Sequence, residues 1–254
     1  MSELFPAKTI AIEVLSCTDV SREYEFNRWY TKVHIPDLKQ TLGIVDVCRY
    51  RELVLNLGDL GELGTMWATP EGQPLRYLTL YVININVDDP WSLMQKVKED
   101  DKNRTQQSKM IDCMETFEVT VWDFITYRRT VSPLQRPETH LPDGMPESMF
   151  LVYTRTDPTR ENEFNDWYLY THHHDLLETP GNVQNCRFRS LNPEPAEREA
   201  RYLAVYEIDS DDPVAVLRQI LENDRDIRRP QGRIYNAFAP CDNHGRGLYQ
   251  HVDL

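Results

Sequence analysis

The sequence predicts an α+β fold in which two fused ferredoxin-like βαββαβ repeats pack their antiparallel sheets as an intramolecular pseudo-dimeric α+β barrel. The first observation is a duplication: residues 23–51 align without a gap with residues 161–189, and 15 of the 29 positions are identical. The second is that the similarity continues, since "RYLTLYVI" (76–83) matches "RYLAVYEI" (201–208). Two copies with so long a period indicate two fused domains rather than a solenoid.

Each half has the order strand, helix, strand, strand, helix, strand. The strands show alternating or continuous apolar residues, and the first helix repeats aromatic residues at spacings of three and four. An Asp-Pro pair supplies an N-cap and a first-turn proline for the second helix. The predicted elements of the first half are Thr9–Ser16, a helix from Ser21, Ile44–Arg51, 76–83, a helix from Asp89-Pro90, and Phe117–Tyr127. Those of the second half are Met149–Arg155, a helix from Thr159, Val183–Arg189, 201–208, a helix from Asp212-Pro213, and Arg233–Phe238.

Two segments break the symmetry of the halves. We expect a first repeat at 1–127, a linker with four prolines at 128–147, and a second repeat at 148–254. Residues 52–75 lengthen one connection in the first repeat only, and we interpret this insertion as a lid or an oligomer contact.

Composition excludes several classes of protein. A net charge of −13 disfavours binding to nucleic acid. No apolar run reaches the roughly 20 residues that cross a bilayer, and the start "MSELFPAKTIAIEV" lacks a secretory signal. Five cysteines without a C-x-x-C pair argue against a disulfide framework and a zinc site. We therefore expect a cytoplasmic protein with no metal, no cofactor, no membrane partner and no nucleic-acid partner.

The duplicated helix carries the strongest candidate for chemistry. Tyr30, His34 and Asp37 recur as Tyr168, His172 and Asp175, so an aspartate is able to orient each histidine and leave its other nitrogen as a base. The alternative is a structural histidine that ties the helix end to a loop. His172–His174 are consecutive and point about 100° apart on a helix, so they do not share one metal ion.

Further polar residues are candidates for substrate binding. The apolar residues Ile10, Ile12 and Val14 of the first strand are expected to face the helices, which turns the alternate face into the barrel interior. The expected substrate-binding residues are Glu13, Tyr153, Arg155, Arg49, Arg187 and, in the insertion, Trp67. The alternatives are an edge position for Glu13 and ion pairs with helix carboxylates for the two duplicated arginines.

The segment "EFNRWYTKVHIPDLKQTLGIVDVCRYR" resembles the first helix and second strand of dimeric α+β barrel proteins, particularly the EthD-like branch. His34-Ile35-Pro36-Asp37-Leu38 fits the motif of that branch, whereas the second copy has His174 in place of Pro36. The resemblance implies a range of activities: cofactor-free monooxygenases, lactone isomerases, polyketide cyclases and dehydratases, and haem-dependent enzymes. It also implies aromatic or hydrophobic substrates and an acid/base role for the histidine.

Three hypotheses follow for function. The first is a cofactor-independent lyase, isomerase or dehydratase that uses histidine acid/base chemistry on a small aromatic or polyketide-like metabolite. The second is an oxygen-using monooxygenase, with haem or without a cofactor. The third is a non-catalytic small-molecule-binding protein. The aromatic content and the insertion at 52–75 also suggest a homodimer.

Overall fold

The computed structural model describes residues 9–69, 74–108, 110–129, 146–242 and 246–252. The strands are β1 Thr9–Cys17, β2 Ile44–Glu52, β3 Arg76–Ile83, β4 Met114–Arg129, β5 Ser148–Thr154, β6 Asn182–Ser190, β7 Tyr202–Ile208 and β8 Gly247–His251. The helices are α1 Glu23–Trp29, α2 Ile35–Lys39, α3 Gly61–Trp67, α4 Pro90–Ser108, α5 Glu161–Trp167, α6 His173–Leu177 and α7 Pro213–Asn223. Three π-helical turns, Tyr30–His34, Tyr168–His172 and Asp224–Arg228, join or extend them.

The eight strands close into one antiparallel barrel in the order β1-β3-β2-β8-β5-β7-β6-β4. Each half of the chain supplies four neighbouring strands, and the halves meet where β2 pairs with β8 and β4 pairs with β6. Both halves follow the order βαββαβ. The predicted pseudo-dimeric α+β barrel is therefore confirmed.

The helix starts also follow the prediction. Asp212 accepts a hydrogen bond from the backbone nitrogen of Ala215 at 2.9 Å, and Pro213 opens α7. Asp89 does the same for Ser92 at 2.9 Å. A side-chain acceptor at the N-cap satisfies one of the free N–H groups of the first helical turn, which fixes where the helix begins.

The two faces of β1 are the reverse of the prediction. Ile10, Ile12 and Val14 pack inside the barrel together with residues of β5, and Glu13 instead faces the helical layer. Strand periodicity states which residues share a face but not which face lies inside. The interior of an eight-stranded barrel is filled by side chains, so the fully apolar face turns inward and the mixed face lies under the helices.

The last strand of the second half is β8, and the prediction of a strand at Arg233–Phe238 is wrong. In that segment Phe238 makes one isolated bridge with Thr156. Tyr235 and Phe238 pack on Phe164, with ring centroids 5.3 Å and 5.8 Å away. The apolar residues of this segment thus pack against the helical layer, and the segment does not pair as a strand.

The insertion of the first half crosses onto the second half. Its residues Leu55, Leu57 and Leu60 belong to the apolar cluster between the second-half sheet and its helices. Arg218 of α7 binds Asp59 at 2.5 Å. Most of the predicted linker, 130–145, and residues 70–73 of the insertion lie outside the described residues. No helix in the described part of the chain is long and apolar enough to cross a membrane.

Candidate functional site

A cavity of about 650 Å³ lies in the second half, between the outer face of its sheet and its helices. Its wall is mainly aromatic and includes Trp67, Phe150, Trp167, Tyr168, Tyr206, Tyr235 and Phe238. The polar residues of this wall are Thr154, Tyr168, His172, Tyr206, Asp224, Arg229, Tyr235 and Asn236. A mostly apolar cavity with a few convergent polar groups is the usual form of a small-molecule site.

The π-helical turn Tyr168–His172 places its first and last residues on the cavity wall. Such turns are frequent at functional sites because they widen the helix locally and redirect side chains. The indole of Trp167 stacks on the imidazole of His172 at 4.3 Å, and its Nε1 donates to the carbonyl of Arg233 at 2.7 Å. The imidazole is therefore held by packing before any ligand binds.

The surroundings of His172 favour its neutral form. Burial, followed by the charges of His173, Arg228 and Arg187, holds the pKa of His172 well below its usual range. Its Nε2 lies 3.1 Å from the hydroxyl of Tyr206. Burial raises the pKa of Tyr206 well above its usual range, so this hydroxyl stays protonated.

Neither predicted Tyr–His–Asp chain forms. Asp175 is buried and pairs with Arg233, while His172 contacts Tyr206. In the first half, Nε2 of His34 lies 3.0 Å from Oδ1 of Asp101, and the predicted partner Asp37 is half-exposed. The π-helical turns explain the difference, because their larger width rotates the aspartates away from the face that carries each tyrosine.

The equivalent position in the first half is filled by protein. Oε2 of Glu13 accepts hydrogen bonds from the hydroxyls of Tyr30 at 3.1 Å and Tyr81 at 2.8 Å. The hydroxyl of Tyr30 also lies 2.7 Å from that of Thr79. Glu13 is 6% exposed, and burial, followed by the charge of Asp101, raises its pKa. In the first half, which we call the closed half, the carboxyl of Glu13 thus occupies the acceptor position between the two tyrosines.

The two duplicated arginines lie in aromatic cages. The guanidinium carbon of Arg49 is 4.0 Å and 4.2 Å from the ring centroids of Tyr30 and Tyr77. That of Arg187 is 4.2 Å from Tyr168 and 4.4 Å from Tyr202. Burial lowers the pKa of Arg49 to about 10 and also lowers that of Arg187. The contacts are cation–π contacts rather than the ion pairs of the alternative prediction, and Arg187 is not on the cavity wall.

The other predicted substrate-binding residues are dispersed. Tyr153 lies in the barrel interior, 5.6 Å from the ring of Trp122. Arg155 donates to the carbonyl of Ala196 at 3.2 Å, outside the cavity wall. Trp67 does line the cavity, with its ring 4.6 Å from that of Phe150.

Sequence reasoning missed Tyr206 and Asp224. Tyr206 has the same place in the second "RYL" strand that Tyr81 has in the first, and this recurrence is the sequence signal for it. Asp224 stands eleven residues after Pro213, as Asp101 does after Pro90, and this equal spacing from the helix start is the sequence signal for it.

The described residues offer no site of several metal ligands at this cavity. They contain no group of three histidine, cysteine, aspartate or glutamate side chains able to hold a metal ion. Of the two nitrogens of His172, Nδ1 is buried and Nε2 lies 3.1 Å from the hydroxyl of Tyr206. The raised pKa values of Tyr168 and Tyr206 also disfavour a phenolate ligand.

Comparison with known proteins supports the fold. No family model and no curated protein sequence matches the chain. The chain is similar to the solved structure of a protein described as a monooxygenase from Fusobacterium nucleatum, with a TM-score of 0.52, 11% identity, and coverage of 98% of this chain and 94% of that chain. It is similar to an anthrone oxidase-like protein, with a TM-score of 0.53, 11% identity, and coverage of 98% and 93%. A chlorite dismutase from Candidatus Nitrospira defluvii gives a TM-score of 0.52, 10% identity, and coverage of 98% and 93%.

These likenesses span nearly the whole chain, and at such identities they establish the fold alone. They do not distinguish the EthD-like branch that the sequence motif suggested. The architecture is a closed antiparallel α+β barrel of two βαββαβ halves, both supplied by one chain.

Proposed function

We propose that the protein is a cofactor-independent, oxygen-using enzyme that acts on a flat aromatic substrate in the second-half cavity, with His172 as general base. The observation that carries the proposal is a neutral imidazole fixed on the wall of an aromatic cavity. A base of lowered pKa remains unprotonated at neutral pH, and the aromatic wall suits a planar apolar ligand.

The chemistry begins with removal of a proton. Nε2 of His172 takes a proton from a methylene group that is activated by neighbouring aromatic rings and a carbonyl. The resulting carbanion passes one electron to dioxygen, and the radical pair recombines to a peroxide anion. This anion takes the proton back from His172 and becomes a hydroperoxide. Loss of water from the hydroperoxide leaves a new carbonyl, so one CH₂ group and one O₂ give one C=O group and one H₂O. The protein's part is to bind the substrate, hold the proton and exclude water.

The comparisons favour this hypothesis over the lyase, isomerase or dehydratase that the sequence suggested first. Two of the similar structures are described as a monooxygenase and as anthrone oxidase-like, and those descriptions belong to those proteins. A lyase or isomerase would share the first proton transfer and would differ in leaving oxygen unconsumed. Oxygen consumption therefore separates the two hypotheses.

The test uses anthrone as the probe substrate. We expect the wild-type protein to consume one molecule of oxygen for each quinone formed, measured with an oxygen electrode and by absorbance. His172→Gln should lower the rate by about 10²- to 10⁴-fold, the usual contribution of a general base. His34→Gln is the matched control in the closed half and should leave the rate near that of the wild type.

Two results would contradict the proposal. The first is a rate that is unchanged in His172→Gln. The second is proton exchange at the methylene group, detected by loss of deuterium, with no oxygen consumed; this result would restore the lyase or isomerase hypothesis.

A further inference from the structure

We propose that Tyr168 and Tyr206 form a paired hydroxyl site that binds a carbonyl oxygen of the substrate and stabilises it as it becomes an enolate or phenolate. This inference rests on the proposed function and narrows its substrate to aromatic compounds that carry an enolisable ketone or a phenol. The argument comes from within the chain, because Glu13 in the first half occupies the place that a ligand oxygen would take in the second.

The correspondence of the two halves is fixed by sequence and register. Tyr30 and Tyr168 align in the duplicated helix, and Tyr81 and Tyr206 align in the repeated "RYL" strand. In that strand Thr79 aligns with Ala204. Because Glu13 pairs with Thr79 and Val152 pairs with Ala204, Val152 is the counterpart of Glu13.

In the first half, two tyrosine hydroxyls converge on one oxygen. Tyr30 and Tyr81 both donate to Oε2 of Glu13, at 3.1 Å and 2.8 Å. Two fixed donors aimed at one oxygen are the arrangement that stabilises a developing negative charge in an oxyanion hole. The internal carboxyl therefore shows the geometry with which this pair of tyrosines holds an acceptor oxygen.

In the second half, the pair is kept and the internal acceptor is lost. Val152 has no polar atom, and both Val152 and the tyrosines Tyr168 and Tyr206 line the cavity. Burial raises the pKa of both hydroxyls, so both stay protonated. Each hydroxyl carries one proton, so the O–H of Tyr206 turns from Nε2 of His172 toward the ligand oxygen when a ligand binds, which leaves Nε2 free to accept a proton. The substitution of valine for glutamate thus opens the position to an external oxygen.

The location also suits the reaction. The hydroxyl of Tyr206 lies 3.1 Å from Nε2 of His172, so an oxygen bound to the tyrosines would sit beside the base. Deprotonation next to a carbonyl places negative charge on that oxygen. The pair would therefore act in the transition state more strongly than in the ground state, which is what lowers a barrier.

The test measures binding and needs no turnover. The probes are 4-nitrophenol, which absorbs visible light only as the phenolate, and 4-nitroanisole, its neutral methyl ether. We expect the wild-type protein to lower the pKa of bound 4-nitrophenol. Above that pKa the protein should bind the phenolate of 4-nitrophenol more tightly than it binds 4-nitroanisole. Tyr168→Phe and Tyr206→Phe should each weaken phenolate binding by about ten- to a hundredfold, because each loses one hydrogen bond to a charged group. Their affinity for 4-nitroanisole should equal that of the wild type.

Tyr81→Phe is the matched control in the closed half and should bind phenolate as the wild type does. Equal phenolate affinity in the wild type, Tyr168→Phe and Tyr206→Phe would overturn the inference. A wild-type protein that raises the pKa of bound 4-nitrophenol would overturn it as well, without reliance on any variant. His172→Gln separates the two proposals, because it should abolish oxygen consumption and retain the preference for phenolate.

Discussion

Replacement of Glu13 by glutamine should change how the stability of the protein depends on pH. Burial, then the charge of Asp101, raises the pKa of Glu13, and hydrogen bonds from Tyr81 and Tyr30 oppose this rise without cancelling it. A group whose pKa is higher in the folded state than in the unfolded state binds more protons when folded. Its contribution to stability is complete below the unfolded pKa and is lost as the pH rises through the folded pKa.

The size of this pH effect follows from the single proton that Glu13 binds. Between the unfolded pKa, about 4.3 for glutamate, and the higher folded pKa, stability should fall by up to about 1.4 kcal/mol for each pH unit. Glutamine keeps an oxygen that accepts from Tyr30 and Tyr81 but does not ionise. The stability of Glu13→Gln relative to the wild type should therefore increase as the pH rises from the unfolded pKa through the raised folded pKa.

Urea unfolding followed by tryptophan fluorescence at several pH values measures this difference. Glu197→Gln is a suitable control, because Glu197 is exposed on the surface, so its replacement should leave the curve almost unchanged. Parallel pH curves for the wild type and Glu13→Gln would refute the reasoning, since they would mean that Glu13 binds no extra proton in the folded state.

Three further predictions concern the second half. The acidic limb of the pH profile of kcat/KM should lie well below pH 6.5, because the lowered pKa of His172 keeps it unprotonated; a limb above that value would contradict its role as the base. Trp67→Ala should weaken the binding of anthrone by about 1–3 kcal/mol, which raises KM. Proton removal by His172 should persist in the bound substrate, so kcat should change little. Asp175→Asn should lower the free energy of unfolding by about 1–3 kcal/mol, since it breaks a buried contact with Arg233, and should not shift the pH profile. Light scattering tests the predicted homodimer, which a monomeric mass would exclude.

The duplication determined the fold. Fifteen shared positions in 29 residues, with matching strands and Asp-Pro helix starts, were enough to predict two βαββαβ halves and their closure into a barrel. Local rules were sufficient here because helix caps and strand periodicity depend on neighbouring residues. The strand predicted at Arg233–Phe238 is wrong because this segment is governed by long-range contacts. Its apolar residues pack on a surface that exists only after the helices of the second half are in place.

The candidate site needed the tertiary structure. The sequence singled out Tyr168 and His172 by their recurrence but assigned the histidine to Asp175, because a regular helix would put the three on one face. The π-helical turn removes that relation, and Tyr206 from a strand 34 residues away in sequence becomes the partner. Likewise, the sequence showed that Glu13 is polar among apolar neighbours, but not that it closes one copy of a site whose other copy has Val152. That difference depends on strand register and on which face of the sheet the helices cover, and both are decided by long-range packing.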